Sequence, residues 1–298
     1  MNKKQIFDIF IAFLAMIVML LLGFILPLFG TLLLLLLPLP SIILFVRYDI
    51  QTALLFILLI AIVLALFLSP VFFIITIINI GLIAIVMGSA IKEDFSGFKI
   101  FLAGVIASFI SFLLILAISI YIFDVNIIAF LTENLEQMAD MAELNQIVDD
   151  TVVLEELFVE TIEIIKVIFP SFFITLALVI TAINYYAATL FLTELEVKDN
   201  SFLVLKEFKL PRIILVLFIF ALVTIDFIIS KNILLIITFL LVVQGVGVLY
   251  WYFENKIQTS LLIFILFTII ILPMINPLLL FLGLLDVAID LRKLAKKN

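Results

Sequence analysis

The chain has 298 residues and a formal net charge of −7, and 67% of its residues are hydrophobic. Soluble domains are about 45–50% apolar, so this composition excludes an ordinary soluble protein and indicates a membrane protein, while the negative charge excludes nucleic-acid binding. The chain contains neither cysteine nor histidine, which excludes disulfide bonds, thiol catalysis and thiolate metal sites.

Long apolar runs occupy most of the sequence. Runs of about 18 or more apolar residues predict membrane-spanning helices, and continuous rather than alternating runs favour helices over a β-barrel. We therefore predict an all-α, polytopic transmembrane helical bundle with eight to ten spans. The predicted hydrophobic segments are 6–29, 31–46, 52–68, 71–91, 98–123, 168–192, 213–229, 233–253 and 257–285.

Two of these segments contain proline pairs that interrupt a regular helix. The second segment contains Pro38 and Pro40, and the last contains Pro273 and Pro277. Proline lacks the backbone N–H, and a membrane helix tolerates it where neighbouring groups bond the freed carbonyl. We expect the second segment to be kinked, broken or re-entrant, and the last to form two short arms.

Positive charges along the connections predict the orientation of the chain. Lys and Arg concentrate in cytoplasmic loops of membrane proteins, and here they occupy alternate connections, which predicts a cytoplasmic N-terminus. These residues are Lys3, Lys4, Arg47, Lys92, Lys99, Lys198, Lys206, Lys209 and Arg212. The basic tail from Arg292 also favours the cytoplasm, and a hairpin broken at Pro273 and Pro277 would bring it there.

One stretch between the fifth and sixth segments is acidic rather than apolar. Residues 124–165 contain eleven acidic and no basic residues, with apolar residues at helical spacing. The pattern predicts an acidic amphipathic helical insert, 124–166, on the extracytoplasmic side. It separates an N-terminal transmembrane bundle, 1–123, from a C-terminal transmembrane bundle with a basic cytoplasmic tail, 167–298. Without a turn-rich loop, its glutamates indicate a solvated cap rather than a metal site.

Neutral polar side chains inside the hydrophobic segments are the candidate substrate-binding residues. Asn79 and Gln244 lie midway along their segments, and Asn184 adjoins Tyr185 in another. Such groups either hydrogen-bond a ligand or bond across to a neighbouring helix, and the sequence leaves both open. A bound solute would be small and neutral, and hydrogen bonds in a pocket between helices would select it.

Ionisable side chains are missing from the middle of the hydrophobic segments, so we expect the buried polar groups to be neutral. Proton-coupled transporters and charged-ring channels normally require such a side chain, so those mechanisms are disfavoured. The sequence also lacks a P-loop, a nucleophile elbow and a Gly-rich dinucleotide turn, so we expect neither enzymatic activity nor a cofactor. At the segment ends, Arg47 and Asp49 are expected to form an ion pair in a loop.

One face of the fifth segment is built from small residues. Gly104, Ala107, Ser108 and Ser111 share this face. Small side chains let two helix backbones approach closely in a membrane, so the pattern predicts a tight helix–helix contact. The partner is either another helix of this chain or another subunit.

The charged residues after the last segment form a candidate docking group. Asp286 and Asp290 lie one helical turn apart, and Arg292 and Lys293 follow at the membrane exit. This group forms either an interfacial ion network that anchors the helix or a docking surface for a cytoplasmic partner.

Four short patterns occur in order along nearly the whole chain. They are Leu37-Pro38-Leu39-Pro40 with Arg47, Gly81 with Met87-Gly88, Asn232 with Gln244-Gly245, and Gly283-Leu284-Leu285-Asp286 with Asp290-Leu291-Arg292-Lys293-Leu294. In these patterns the chain resembles the YybS-like family of bacterial membrane proteins of unknown function. Members carry aromatic residues in the closing pattern, where this chain has Ala288 and Leu291. The resemblance implies a multi-pass protein of the bacterial cell (inner) membrane.

The N-terminal half of that family is similar to the substrate-binding S components of energy-coupling-factor vitamin transporters. Those subunits bind a small solute within a helical bundle and depend on a separate ATPase, which agrees with the missing nucleotide motifs. S components dock through small residues four apart on the first helix, whereas Ala12 and Ala15 of this chain are three apart.

We therefore expect a non-enzymatic solute-binding or transport-related subunit without its own energy source. Its pocket would be lined by Asn79, Asn184, Tyr185 and Gln244. The alternative is a membrane scaffold or regulatory protein that acts through the acidic insert or the C-terminal tail. The expected partners are the lipid bilayer, a small neutral solute and a membrane or cytoplasmic protein.

Overall fold

The computed structural model describes residues 2–125, 129–130, 133–134, 137, 151–197, 208–254, 256–257 and 274–293. Within these ranges the regular elements are helices without strands, which confirms the predicted all-α class. Among the described residues, seven helical stretches are long and apolar enough to cross a membrane. They are Lys3–Ile25, Gly30–Arg47, Ile50–Phe67, Val71–Lys92, Gly97–Tyr121, Thr161–Glu194 and Ile228–Phe253. The total of eight to ten spans stays a prediction, because residues 258–273 lie outside the described ranges.

The chain divides into two compact units. The N-terminal unit contains Met1–Asn134 and Leu176–Phe202, and the C-terminal unit contains Leu135–Thr175 and Leu203–Asn298. The predicted boundaries, 1–123, 124–166 and 167–298, stay a prediction. One helix, Thr151–Glu194, runs continuously through residue 166. Residues 138–150 of the predicted acidic insert lie outside the described residues.

In the part of the chain that the structure describes, the N-terminal unit contains seven helices up to residue 121 and the second part of an eighth. These helices are α1 (Lys3–Ile25), α2 (Pro27–Leu35), α3 (Leu39–Arg47), α4 (Ile50–Phe67), α5 (Val71–Thr76), α6 (Leu82–Lys92), α7 (Gly97–Tyr121) and α8 (Thr151–Glu194). A π-helical segment, Ile77–Gly81, connects α5 to α6. The first helix begins with a capping box, in which the Asn2 side chain accepts from the Gln5 backbone and the Gln5 side chain accepts from the Asn2 backbone.

Prolines determine where the helices of the first two predicted segments end. The segment predicted over 6–29 ends as α1 at Ile25, because Pro27 begins a new helix at the position where a missing N–H is tolerated. The second predicted segment is broken between α2 and α3, around Leu36 and Pro38, which confirms the expected interruption. Neither Pro38 nor Pro40 can donate a hydrogen bond to the preceding turn.

The small-residue face of α7 packs against other helices of the same chain. The Ser108 and Thr181 hydroxyl oxygens lie 3.2 Å apart. A Cβ on Gly104 would lie 2.5 Å from Thr181 Cγ2 and 2.9 Å from Met87 Sδ. The predicted tight contact is therefore confirmed, and its partners are α6 and α8. These contacts also explain why Leu176–Phe202 belongs to the N-terminal unit.

Among its described residues, the C-terminal unit contains the first part of α8 and three further helices, which are α9 (Ile213–Val223), α10 (Ile228–Phe253) and α11 (Asn276–Ile289). Two glycines allow α10 and α11 to touch through their backbones. A Cβ on Gly245 would lie 2.0 Å from Leu279 O, and a Cβ on Gly283 would lie 2.0 Å from Leu241 O. No larger residue fits either position without separating the helices.

An amide from α10 bridges the turn of α8 that contains Pro170. The Asn232 side chain accepts a hydrogen bond from Ser171 N at 3.0 Å and donates one to Val167 O at 2.7 Å. In a regular helix these two backbone groups would bond each other. Because Asn232 supplies both partners beside Pro170, the helix continues past the proline.

Candidate functional site

A cavity of about 250 Å³ lies within the N-terminal unit. Its walls come from α1, α2, the break between α2 and α3, α4, α5, the π-helical segment and α8. The lining residues are Leu20, Phe24, Leu34, Leu35, Leu37, Pro38, Leu64, Leu68, Phe72, Ile75, Thr76, Asn79, Ile80 and Ile180. None of these side chains is charged, and only Thr76 and Asn79 are polar. The cavity therefore suits an uncharged molecule.

Two interruptions of regular helix meet at this cavity. At the first, Leu37 N bonds Leu34 O at 3.3 Å and Leu39 N bonds Leu36 O at 2.9 Å, so the chain tightens between α2 and α3. At the second, Asn79 lies inside the π-helical segment. Irregular backbone at membrane depth is tolerated where it is buried in protein or lines a cavity, and π-helical turns occur frequently at functional sites. The structure thus places the predicted residue Asn79 in a setting typical of a binding site.

Asn184 lies directly behind the cavity wall. Its Nδ2 donates to Leu35 O at 2.7 Å and to Ile180 O at 2.9 Å, and both Leu35 and Ile180 line the cavity. The Asn184 side chain is fully buried, and its Oδ1 has no hydrogen-bond partner. The amide therefore ties the last residue of α2 to α8, which is the interhelical role that the sequence left open.

The other two predicted binding residues have different surroundings. Tyr185 is buried in the N-terminal unit, and its backbone carbonyl accepts a hydrogen bond from the Thr189 hydroxyl. Gln244 belongs to the C-terminal unit, where its Oε1 accepts from Leu210 N at 3.1 Å and its Nε2 donates to Asp286. Of the four predicted residues, Asn79 lines the cavity and Asn184 supports its wall.

Thr76 is a wall residue that was not among the predicted binding residues. Its side chain is buried and lies one helical turn before Asn79. The signal was present, because residues three apart share one face of a helix. Nothing in the sequence showed that α2, α4 and α8 close over that face.

A buried ion pair at the end of α11 corrects the expectation that buried polar groups are neutral. Arg292 and Asp286 lie 2.7 Å apart, with both side chains fully buried. Arg292 also donates to Phe208 O at 2.6 Å, and Gln244 donates to Asp286. The physical reason is local: Asp290 ends α11 in the left-handed conformation at φ 54°, so the chain reverses and returns Arg292 to Asp286.

The predicted docking residues therefore divide into two kinds. Asp286 and Arg292 are buried in the pair, where a partner could not reach them. Asp290 forms an ion pair with Lys209 at 2.8 Å, and Lys293 is exposed. Docking stays a prediction for the two residues nearer the surface.

A second charged cluster joins the ends of α1 and α3. Arg47 pairs with Asp8 at 3.0 Å, and the Tyr48 hydroxyl donates to the same carboxylate. Burial, followed by this hydrogen bond, raises the pKa of Tyr48 above its ordinary value. The expected pairing of Arg47 with Asp49 is wrong, because Asp49 instead caps α4. Asp8 was visible in the sequence as an acid inside the first hydrophobic segment.

The Asp49 cap fixes the start of α4. Its carboxylate accepts from Thr52 N at 2.7 Å and from the Thr52 hydroxyl at 2.8 Å. The backbone bond from Thr52 is the main cause that lowers the pKa of Asp49. Lys92 Nζ donates to Tyr48 O at 2.7 Å, so the end of α6 lies beside the same turn. Within the described ranges, no group of three or more acidic residues is placed to hold a metal ion.

Comparison with known proteins identifies the family of the chain. A family model described as "Predicted membrane protein (DUF2232)" matches residues 13–287. Neither a curated protein nor a solved structure matches the chain. Because the family match extends over most of the sequence, the chain belongs to the DUF2232 family of predicted membrane proteins.

Proposed function

We propose that the protein binds a small, uncharged solute in the cavity of its N-terminal unit and acts as a solute-binding or transport-related subunit. It would catalyse no reaction and would depend on another protein for energy. The observation that carries the proposal is the cavity itself, which is bounded by Asn79 and by the break between α2 and α3. Pockets lined mainly by apolar residues with a few convergent polar groups are the usual form of small-molecule sites.

The size of the cavity supports this function. The cavity is partly open, because Phe24 and Leu68 of its wall are exposed, so a ligand can enter it. An apolar cavity of about 150 Å³ is already large enough to bind benzene. A cavity of about 250 Å³ accepts a ring with several further atoms.

The finer family assignment agrees with this proposal. We propose that the chain is a YybS-like member whose N-terminal half is related to the S components of energy-coupling-factor transporters. A solute site inside the N-terminal unit and a sequence without nucleotide motifs are the features expected of such a subunit. The spacing of Ala12 and Ala15 predicts a different docking contact with an energising partner.

We further propose that the protein lies in the bacterial cell (inner) membrane with a cytoplasmic N-terminus. Asp8 pairs with Arg47, which brings the start of α1 with its lysines beside the end of α3. Lys92 contacts Tyr48, which brings the end of α6 to the same place. Three successive basic regions therefore lie at one end of the unit. Positive charges gathered at one end favour the cytoplasmic side.

The ends of α7 provide a direct test of this orientation. The chain is naturally free of cysteine, so single substitutions Lys99→Cys and Tyr121→Cys mark opposite ends of one membrane helix. A membrane-impermeant thiol reagent applied to intact cells should label Tyr121→Cys and leave Lys99→Cys unlabelled. The reverse pattern would overturn the orientation.

Solute binding can be tested by filling the cavity. Leu64 lines the cavity, whereas Leu66 on the same helix is 78% exposed. We expect native mass spectrometry of the full chain in mild detergent to detect a bound small molecule in the wild type and in Leu66→Trp. Leu64→Trp should lose that molecule, because the larger side chain occupies its space. Equal retention by both variants, or no bound molecule in the wild type, would contradict the proposal.

The alternative function, a membrane scaffold or regulator, is tested by truncating the tail. Deletion of residues 294–298 leaves the buried Arg292 in place and removes only residues beyond it. A scaffold should lose a copurifying protein after this truncation while tolerating Leu64→Trp. A solute-binding subunit should show the opposite pattern.

A further inference from the structure

We infer that the ligand of the N-terminal cavity is a mostly hydrocarbon, uncharged molecule with one hydrogen-bonding group, and that the Asn79 amide recognises this group. The inference rests on the proposed function and names the class of its ligand. It also separates the roles of two amides: Asn79 contacts the ligand, and Asn184 is a positioning residue.

The chemistry of the wall determines the ligand class. Twelve of the fourteen lining residues are apolar, and the two polar ones, Thr76 and Asn79, are neutral. A charged group inside this wall would lose its hydration without gaining an ionic partner, so the cavity disfavours ions. An extended sugar or peptide would leave several polar groups unpaired, so the wall also disfavours polar molecules.

Asn79 is the wall residue suited to recognition. A carboxamide both donates and accepts, so it can bond a hydroxyl, an amide or a carbonyl of the ligand. Asn79 is half-buried, which leaves its side chain accessible from the cavity that it lines. The Thr76 side chain one turn earlier is almost fully buried.

Asn184 maintains the shape of the cavity. Its Nδ2 bonds two carbonyl oxygens, and an inverted amide would place Oδ1 against them, so these partners fix its orientation. One of the carbonyls belongs to Leu35, the last residue of α2, at the point where the helix breaks beside Pro38. The amide thus holds the broken end of α2 in the wall.

A matched set of probes tests the ligand class. The probes are 4-ethylphenol, its methyl isostere 4-ethyltoluene, and the anion 4-ethylbenzoate, added to the full chain in lipid nanodiscs. Binding is measured by saturation-transfer NMR titration in the wild type, in Asn79→Leu and in the control Ser111→Ala, a buried residue outside the wall. Each probe partitions into lipid to the same extent with every variant. A comparison of the affinity ratio of two probes between variants is therefore independent of that partition.

In each variant we compare the affinity for 4-ethylphenol with the affinity for 4-ethyltoluene. We expect this affinity ratio to be about tenfold larger in the wild type and in Ser111→Ala than in Asn79→Leu, because a tenfold change in affinity corresponds to about one hydrogen bond. The anion should not compete. Leu64→Trp should abolish saturable binding of both neutral probes.

The possible failures are distinguishable. If neither neutral probe binds saturably, or if Leu64→Trp binds both as well as the wild type, the proposed function itself fails. If both bind and Leu64→Trp blocks them, but the ratio is the same in Asn79→Leu, the cavity is a hydrocarbon site for a lipid acyl chain and the inferred class is wrong. Competition by 4-ethylbenzoate would also overturn the class.

Discussion

Two groups of buried polar side chains, one in each unit, differ in their hydrogen bonding. In the C-terminal unit, Gln244 and Arg292 both bond Asp286, and they also bond the backbone at Leu210 and Phe208. In the N-terminal unit, by contrast, an amide lines a cavity, and the fully buried Asn184 keeps an unpartnered Oδ1. A hydrogen-bonded network stabilises a fold, whereas a polar side chain that lines a cavity, as Asn79 does, can also bond a ligand.

The contrast predicts its largest effect at the buried ion pair. Arg292→Leu should lower the free energy of unfolding by about 3–5 kcal/mol, because Asp286 would then be a buried charge without its partner. The control is Asp290→Asn. It removes the ion pair with Lys209, which is partly exposed, so the free energy of unfolding should fall by less than about 1 kcal/mol. Fluorescence of the single tryptophan, Trp251, reports unfolding in detergent.

A double variant sharpens this prediction. Asp286→Leu combined with Arg292→Leu should be less destabilised than Arg292→Leu alone, because it leaves no buried charge unpaired. If the double variant is instead the least stable of the set, this explanation is wrong, and the pair stabilises the fold by more than the neutralisation of two buried charges.

The next effect concerns the backbone contact between α10 and α11. Gly283→Ala should lower the free energy of unfolding by about 1–3 kcal/mol, because its Cβ would overlap Leu241 O and force the helices apart. Gly81→Ala is the matched control in the N-terminal unit, where the nearest atom to an added Cβ is 3.9 Å away. Equal melting temperatures for the two variants would contradict the tight contact.

An effect of similar size separates the two amides of the N-terminal unit. Asn184→Leu should lower the free energy of unfolding by about 1–3 kcal/mol, because Leu35 O would lose its partner. Asn79→Leu should unfold near the wild-type temperature while losing selectivity among probes. Thermal melts of both variants, beside the probe titration, test this division. A strong destabilisation by Asn79→Leu would assign Asn79 a structural role.

The smallest predicted effect is a pH dependence at the start of α4. The lowered pKa of Asp49 means that its cap stabilises the fold at pH values above the ordinary carboxylate range. This stabilisation should disappear as the pH falls through the lowered pKa. Asp49→Asn keeps an acceptor for Thr52 N without titrating, so its melting temperature should fall less on acidification. Identical acid profiles for variant and wild type would contradict the role of the cap.

Local patterns predicted much of the fold but little of the site geometry. Pro38 and Pro40 predicted the break after α2, because a missing N–H acts within one turn. Asn79 and Asn184 were identifiable as amides in apolar segments, yet their different roles depend on which helices surround them. The partner of Arg47 was misassigned to Asp49, because Asp8 comes from a distant helix that only packing brings near.

The sequence by itself determined that this protein is all-α and belongs in a membrane, because hydrophobicity and proline chemistry act residue by residue. The tertiary structure decided where polar groups meet. The left-handed turn at Asp290 brings Asp286 and Arg292 together as a buried ion pair. The tertiary structure also brought helices that are remote in the chain together around a partly open cavity. Such features depend on contacts among several segments, and no single segment encodes them.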